Sequence, residues 1–307
     1  MTPASGPAQP LSDIVNAMTI DVEDYFHVSV FDGVVPRAQW DRLETRVCAN
    51  TERLLALFAE QKVQATFFVL GWVAEHLPHL VPRIVAEGHE IASHGYAHRL
   101  VYDQTPAAFR EDVRRSKQLL EQQGGAPVRG YRAPSYSVTP RSLWALDILI
   151  EEGYSYDSSI FPIRHDRYGI PQSPRHPFVL KRNGRTLIEM PGSTTRLGPL
   201  NLPIGGGGYF RILPYAWTRW GIERVNRLEG RPTIFYLHPW EIDPDQPILR
   251  TSALGRFRHY RNLRDTEQRL KRLLRDFRFG PMLSVANSLT PWPDGALQAE
   301  PALPYLW

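Results

Sequence analysis

Two histidines, His94 and His98, follow a short apolar stretch of the sequence at a spacing of four residues. On a helical turn, this spacing places both imidazoles on one face, close enough to hold one metal ion. A solvated or core pairing of the rings is the ordinary alternative, because the chain contains ten histidines. An upstream acidic cluster, Asp21, Glu23 and Asp24, adds carboxylate oxygens and therefore favours the metal site.

The single cysteine, Cys48, restricts the chemistry of such a site. It excludes an intramolecular disulfide and a cysteine-based structural zinc site, so a metal must be held by nitrogen and oxygen ligands. The sequence around Cys48 is typical of a helix, and we expect a small buried or half-buried hydrophobe without a catalytic role.

Length and composition predict a folded chain with one main domain. Its 307 residues include 42% hydrophobic and 22% charged residues, which is ordinary for a globular protein, and the length suits one α/β barrel with insertions. We expect one domain over residues 16–290, with an irregular insertion near 161–208. A flexible N-terminal tail is expected at 1–15 and a C-terminal tail at 291–307.

The sequence carries no recognisable signal for export or membrane insertion. Residues 1–12 have neither a basic start nor an apolar stretch of the length that a signal peptide needs. The longest apolar runs are too short to span a bilayer. We therefore expect a cytoplasmic protein that can lie at the inner face of the membrane.

Apolar runs alternate between strand-like and helix-like patterns, which predicts a parallel sheet covered by helices. Strands are expected at 17–22, 65–70, 90–94, 128–132, 154–157, 177–180, 186–190, 233–237 and 282–286, and helices at 41–61, 73–87, 106–123, 140–152, 214–228 and 263–277. Polar residues stand where strands end: Asp21 and Glu23, His94 and His98, Arg132, Asp157, and His238. In a parallel barrel these ends converge on the rim that carries catalytic groups, so the sequence predicts one shared site.

Two further segments have a distinctive composition. Residues 250–278 contain ten Lys and Arg against three acids. A solvated amphipathic helix over 263–277 is the simpler interpretation, and contact with an anionic substrate portion or membrane surface is the functional one. Without a nucleic-acid-binding module beside it, we expect no nucleic-acid partner. The run Gly205–Gly208 lacks the ending of a phosphate-binding loop, which favours a mobile lid or a plain turn.

Five short motifs occur in order along the chain: Thr19-Ile20-Asp21-Val22-Glu23-Asp24, Ser93-His94-Gly95-Tyr96-Ala97-His98, Gly130-Tyr131-Arg132-Ala133-Pro134, Tyr156-Asp157-Ser158-Ser159 and Tyr236-Leu237-His238-Pro239. In this order they resemble the polysaccharide deacetylase family with the NodB homology fold, carbohydrate esterase family 4. The resemblance spans about residues 18–286 and implies a distorted, incomplete (β/α) barrel. Asp-Val-Glu-Asp-Tyr-Phe and His-Pro-Trp-Glu-Ile-Asp look like the branch associated with bacterial exopolysaccharide export loci.

The resemblance implies a hydrolase that removes N-acetyl groups with one divalent metal, expected to be Zn²⁺, with Co²⁺, Mn²⁺ or Ni²⁺ as alternatives. Amide hydrolysis needs a metal that polarises the carbonyl and activates water, a base that takes the proton of water, and an acid that protonates the amine. By resemblance, Asp21 is the base and His238 the acid, while His94 and His98 bind the metal.

The resemblance also implies supporting groups. Arg132 would keep the Asp21 carboxylate ionised and oriented, and Asp157 would hold and charge the imidazole of His238. The backbone N–H of Ser135 would help the metal to bind the oxyanion.

The carboxylate ligand is where this sequence departs from the common family pattern of two adjacent aspartates. Here Val22 follows Asp21, and the next acids are Glu23 and Asp24. Side chains alternate along a strand, so Asp21 and Glu23 point to one side and Asp24 to the other. We therefore favour Glu23 as the ligand, with Asp24 as the alternative if the strand ends at Asp21.

Aromatic residues beside the motifs offer sugar-stacking surfaces, although most aromatics at strand ends belong to the core. Tyr136 and Trp240 are the candidates for sugar contact. The remaining histidines near the motifs, His27, His89 and His165, are interpreted as surface or structural residues.

Together these features predict a metal-dependent N-deacetylase acting on amino sugars of a bacterial exopolysaccharide, or on its lipid-linked or nucleotide-linked precursor. One alternative is an amidohydrolase acting on a small cyclic amide, which a narrow closed pocket would favour. The other is a noncatalytic carbohydrate-binding protein. The sequence does not predict an oligomeric state.

Overall fold

The computed structural model describes residues 13–182 and 184–289. Most of the expected N-terminal tail and the whole expected tail at 291–307 lie outside the described residues. The strands, in chain order, are β1 Val15–Val22, β2 Thr66–Val69, β3 Glu90–Ser93, β4 Gly130–Tyr131, β5 Tyr156–Asp157, β6 Phe178–Arg182, β7 Arg185–Glu189, β8 Thr194–Leu197, β9 Leu200–Pro203, β10 Ile234–Leu237 and β11 Arg278–Gly280.

One large sheet organises these strands. Its order is β10-β1-β2-β3-β4-β5-β7-β6, with β11 also paired to β1, while β8 and β9 form a separate hairpin. All neighbours in the large sheet are parallel except β6 and β7. The path ends at β10 and β6 without closing, which agrees with an incomplete (β/α) barrel of the α/β class.

Helices cover the sheet. They are α1 Val47–Gln61, α2 Gly71–His76, α3 Leu80–Ala86, α4 Pro106–Gly124, α5 Trp144–Glu151, α6 Gly207–Ile212, α7 Tyr215–Glu229, α8 Ala253–Tyr260, α9 Leu263–Asp276 and α10 Met282–Ser288. α4 shows how local residues set the bounds: the Thr105 side chain accepts the N–H of Ala108, and Gly125 ends the helix with a φ of 68°. Among the described residues, none of the helices has the length and apolar character needed to cross a membrane.

Two predicted elements differ from the structure. The helix expected at 73–87 is two helices, α2 and α3, because the residue before Pro78 is disfavoured in a helical conformation, and Leu77 has a ψ of 65°. The strand expected at 282–286 is the helix α10. Its buried Met282, Val285 and Ala286 follow a helical spacing that a five-residue apolar stretch does not distinguish from a strand.

The segment 161–208 contains the two strands expected at 177–180 and 186–190 and, beyond them, the strands β8 and β9. It contains the hairpin β6–β7, which extends the large sheet, and the hairpin β8–β9. The run Gly205–Gly208 packs against β10 and begins α6. A Cβ atom on Gly206, whose φ is 119°, would lie 2.0 Å from the carbonyl oxygen of Tyr236. The run is therefore a close backbone contact, which favours the plain turn over the mobile lid.

Candidate active site

The end of β1 supplies two carboxylates to one pocket. Asp21 and Glu23 are each 2% exposed, and strand alternation turns both toward the same side. Glu23 Oε2 lies 2.8 Å from His98 Nε2, and the Trp240 indole N–H donates to Glu23 Oε1 at 3.4 Å. Burial raises the pKa of Glu23, but the positive charges of His98 and His238 outweigh burial, so its pKa lies well below the usual value.

The two histidines lie in the loop after β3. The helical turn that their spacing had suggested is absent there. Gly95 has a φ of 73° and His98 a φ of 48°, and both values are incompatible with a right-handed helix. The Tyr96 N–H donates to Asp112 Oδ1 at 2.8 Å, which anchors this loop on α4. The two imidazole centroids are nevertheless 5.6 Å apart, so a folded loop also brings the pair together.

Glu23, His94 and His98 form a cluster that fits a metal ion. Their ligand atoms lie within 4.8 Å of one another, and all three residues are buried. His94 Nδ1 lies 2.8 Å from the Arg132 carbonyl oxygen, so Nδ1 carries the proton and Nε2 keeps a free lone pair. That Nε2 is buried without a hydrogen-bond partner among the described residues. Two imidazoles and one carboxylate are a typical donor set for catalytic zinc.

Asp24, the alternative ligand, points to another part of the structure. Its carboxylate accepts the backbone N–H groups of Tyr25, Arg46 and Val47 at 2.7 to 2.9 Å. Burial raises its pKa to about 6, although these hydrogen bonds oppose the shift. Asp24 therefore fixes the start of α1, and the geometry leaves Glu23 as the carboxylate of the cluster.

Arg132 makes the contact that was expected of it. Its Nη1 donates to Asp21 Oδ1 at 2.6 Å and to Thr19 Oγ1 at 2.8 Å, and Nη2 donates to Ser158 Oγ at 3.1 Å. The guanidinium is fully buried and lies over the Phe68 ring at 4.2 Å. This hydrogen-bonded guanidinium fixes the orientation of the Asp21 carboxylate.

His238 follows β10 and faces the two carboxylates. Its Nε2 lies 3.2 Å from Glu23 Oε1 and 3.8 Å from Asp21 Oδ2, while Nδ1 lies 2.6 Å from Glu241 Oε1. Burial lowers its pKa, but Glu23, Glu241 and Asp21 outweigh burial and raise the pKa to about 9. The His238 imidazole therefore favours its protonated form, next to the Asp21 and Glu23 carboxylates.

The predicted pairing of Asp157 with His238 is wrong. Asp157 Oδ1 accepts the Ser159 hydroxyl at 2.5 Å, and Asp157 pairs in register with Glu189 on β7. Burial raises the pKa of Asp157 to about 6. Burial and the neighbouring Asp157 carboxylate raise the pKa of Glu189 well above its usual value. Asp157 does not pair with His238 because four strands separate β5, which carries Asp157, from β10, which precedes His238.

Glu241 and Arg211 occupy the role that the sequence had assigned to Asp157. Glu241 is fully buried, bonded to His238 on one oxygen and to Arg211 Nε on the other. Arg211 also donates to the carbonyl oxygens of Arg258, His259 and Arg261 at 2.8 to 3.0 Å. Sequence reasoning missed both residues. An acid three residues after His238 was a usable signal for Glu241, whereas Arg211 had none.

The three residues expected to contact substrate have different positions. Ser135 and Tyr136 line the pocket beside Asp21 and have φ values of 52° and 53°, which turn the backbone sharply into the site. The Tyr136 hydroxyl is buried without a partner among the described residues. Trp240 is only 4% exposed and stacks on His238 and His259, which leaves little of its ring open for sugar stacking. It is nevertheless among the residues that line the larger cavity described next, and its indole N–H donates to Glu23.

Two adjacent cavities, which share lining residues, define the space for a substrate. The inner one, of about 150 Å³, is lined by the two carboxylates, the metal-site histidines and His238. The outer one, of about 520 Å³, shares Val28, Ser135, Tyr168, Tyr236 and His238 with it. The outer cavity also reaches Arg167, Leu254 and Arg258, so a wider cavity lies beside the small inner cup.

The other residues singled out in the sequence lie outside this centre. Cys48 is half-buried in α1. His27 and His89 are buried, and each accepts a backbone N–H at its Nδ1, whereas His165 is partly exposed on the outer cavity. In the basic segment, α9 buries Leu263, Thr266, Leu270, Leu273 and Leu274, as an amphipathic helix does.

Comparisons with known proteins match two separate parts of the chain. Residues 40–150 match the family model described as "Polysaccharide deacetylase", and residues 158–287 match one described as "Domain of unknown function (DUF3473)". A chitooligosaccharide deacetylase of Sinorhizobium fredii is 38% identical over 106 residues. That match covers 32% of this chain and 44% of the relative, so the chain aligns with less than half of the relative's length.

Solved structures share the fold over almost the whole chain. A probable polysaccharide deacetylase from Pseudomonas aeruginosa has a TM-score of 0.59 at 16% identity, covering 92% of this chain and 93% of that one. The Puue allantoinase has the same TM-score and identity, covering 95% of each chain. Fold similarity alone therefore does not distinguish the two chemistries. By the matching family model and the sequence relative, residues 40–150 are similar to polysaccharide deacetylases.

Proposed function

We propose that this protein is a metal-dependent N-deacetylase that acts on N-acetylated amino sugars. The observation that carries the proposal is the buried cluster of Glu23, His94 and His98 directly beside Asp21 and His238. A divalent ion, which we propose to be zinc, would supply Lewis acidity to the amide carbonyl and to water when bound by these three residues.

The other residues divide the proton transfers. Asp21, held by Arg132, takes a proton from water, and His238, held by Glu241, gives one to the departing amine. The two groups suit opposite tasks because one is a carboxylate paired with an arginine, and the other is an imidazole whose pKa is raised to about 9. The backbone of Ser135 lines the same cup and is proposed to face the oxyanion.

The shape of the site supports a glycan more than a small cyclic amide. A compact amide needs only a closed pocket, whereas here a larger outer cavity lies beside the inner cup and shares five lining residues with it. Arg167 and Arg258 line that outer cavity. We therefore propose that the substrate is an exopolysaccharide precursor that carries pyrophosphate. We also propose that the protein acts on this precursor at the cytoplasmic side of the membrane. A purely binding role does not require a paired base and acid.

The test of the chemistry combines metal content with acetate release. The wild-type protein, purified without chelator, is expected to hold about one zinc or similar ion per chain, as a three-ligand catalytic site does. His94→Ala with His98→Ala should lose both the ion and acetate release from N-acetylated oligosaccharides. The exposed pair His76→Ala with His79→Ala is the matched control and should retain both. Absence of metal from the wild type after incubation with zinc, cobalt or manganese would refute the proposal.

The test of the substrate uses one further variant. Arg258→Gln should lower kcat/KM for a pyrophosphate-bearing precursor more than for a neutral N-acetylated oligosaccharide of the same sugar. Equal effects on both substrates would remove the support for a charged precursor and leave the deacetylase chemistry unchanged.

A further inference from the structure

A solvent-facing apolar and basic surface lies beside the outer cavity. We define the α8 face as Ile248, Leu254 and Phe257 together with Arg250, Arg256 and Arg261. The three apolar side chains are 65%, 56% and 47% exposed, respectively. In α8, only Gly255 and His259 are buried, so this helix directs its leucine and phenylalanine away from the core. Apolar side chains grouped in this way on a surface are typical of an interaction site.

The segment that carries Ile248 is fixed to α8. The Tyr260 hydroxyl accepts the Leu249 N–H at 2.8 Å and donates to the Pro247 carbonyl at 3.3 Å. Arg211 holds the last turn of the same helix through three carbonyl oxygens and is itself bonded to Glu241. The α8 face is therefore a defined part of the fold with a direct connection to the group that positions His238.

The charge of this segment indicates what kind of partner covers it. Residues 246–264 include five arginines and neither Asp nor Glu. Exposed apolar groups next to unopposed arginines are the combination that binds anionic lipid surfaces, because the apolar groups enter the headgroup region and the cations meet the lipid phosphates. A protein partner of mixed charge would not require so uniform a surface.

We propose that the α8 face docks on an anionic membrane surface. Leu254 and Arg258 of the same helix line the outer cavity, so docking would bring the opening of the site to the level of the lipid headgroups. A glycan attached to a lipid pyrophosphate would then enter the cavity directly. That last step rests on the proposed function, whereas the docking itself does not.

Co-sedimentation with vesicles tests the docking without any substrate. The wild-type protein should bind vesicles that contain about 30% anionic lipid, and bind neutral vesicles much more weakly. Two variants, Ile248→Ser with Phe257→Ser, and Arg250→Gln with Arg256→Gln and Arg261→Gln, should each bind at least about tenfold more weakly. The control Leu197→Ser with Leu200→Ser removes an equally exposed apolar pair from the β8–β9 hairpin and should bind like the wild type.

Folding and activity controls separate this inference from the proposed chemistry. Both α8-face variants should retain the wild-type thermal unfolding midpoint and acetate release from a soluble N-acetylated oligosaccharide, since neither changes a cavity residue. Absence of vesicle binding by an active wild type would overturn the docking alone, as would equal binding by all variants. A wild-type dimer that Ile248→Ser with Phe257→Ser dissociates, without vesicle binding, would assign the face to a second copy. An inactive wild type that binds vesicles would refute only the chemistry.

Discussion

Replacing Glu241 by glutamine tests the structural account of His238 most directly. The substitution keeps the size of the side chain but removes the negative charge 2.6 Å from Nδ1 of His238. Loss of a hydrogen-bonded carboxylate that orients a catalytic imidazole is expected to lower kcat by about 10- to 100-fold. KM should change less, because Glu241 is fully buried and does not line either cavity.

The pH profile gives the same prediction a second readout. Glu241 is one of the charges that raise the pKa of His238 to about 9, so its removal lowers that pKa. A general acid works while it is protonated, and activity is lost as the pH rises through its pKa. The alkaline limb of kcat for Glu241→Gln should therefore lie at lower pH than that of the wild type. A metal bound at Glu23 would shift the alkaline limbs of both proteins to lower pH, and the limb of Glu241→Gln should still lie below that of the wild type.

The matched control is Asp157→Asn, which removes the carboxylate that the motif order associates with His238. In the structure this residue contacts Ser159 and Glu189, so kcat and the alkaline limb should stay near the wild-type values. Stopped acetate-release assays over a pH series, with circular dichroism as the folding check, compare the two variants. Loss of activity and a shifted alkaline limb in Asp157→Asn, with neither change in Glu241→Gln, would assign the support of His238 to Asp157 instead.

Three further predictions concern stability. Leu270→Ala, in the fully buried face of α9, should lower the free energy of unfolding in urea by about 2–5 kcal/mol, whereas Lys271→Ala should change it little. Gly206→Ala should lower the free energy of unfolding by about 1–3 kcal/mol, since Gly206 has a φ of 119° and a Cβ would lie 2.0 Å from a β10 carbonyl oxygen. Gly208→Ala is the control and should change it little, because its Cβ would lie 3.9 Å from the nearest atom. Burial lowers the pKa of His89 to about 4, so its neutral form favours folding, and stability should fall as the pH drops from 6.5 toward 4. Thermal unfolding of His89→Gln over this range should show a shallower slope, and an unchanged slope would contradict the assignment.

Local patterns in the sequence were sufficient where one strand or one loop decides the outcome. Asp21 and Glu23 share a side because side chains alternate along β1, and this rule needs no knowledge of the neighbouring strands. The buried run that becomes β2 was recognisable for the same reason. His94 and His98 meet although their expected helical turn is a loop, because their separation is short in either conformation.

Sequence patterns failed where the answer depends on which distant elements become neighbours. The partner of His238 depends on how far apart β5 and β10 lie in the sheet, and strand spacing along the chain does not contain that distance. Arg211 lies on α6 and contacts Glu241, and its side chain is buried where α8 packs over it. The burial of Trp240 between two histidines likewise depends on a residue from α8, His259.

The position of β1 between β10 and β2 has a consequence for the order of folding. The Thr19 hydroxyl donates to the Phe235 carbonyl across 216 residues of chain, so this pairing closes one of the longest loops in the molecule. Contacts of such sequence separation form late and slowly. During synthesis, Glu23, His94 and His98 all emerge well before His238. A growing chain can therefore bring its metal-binding residues together while one edge of β1 is still unpaired. The proton donor, His238, joins them only after β10 has been synthesised and has paired with β1.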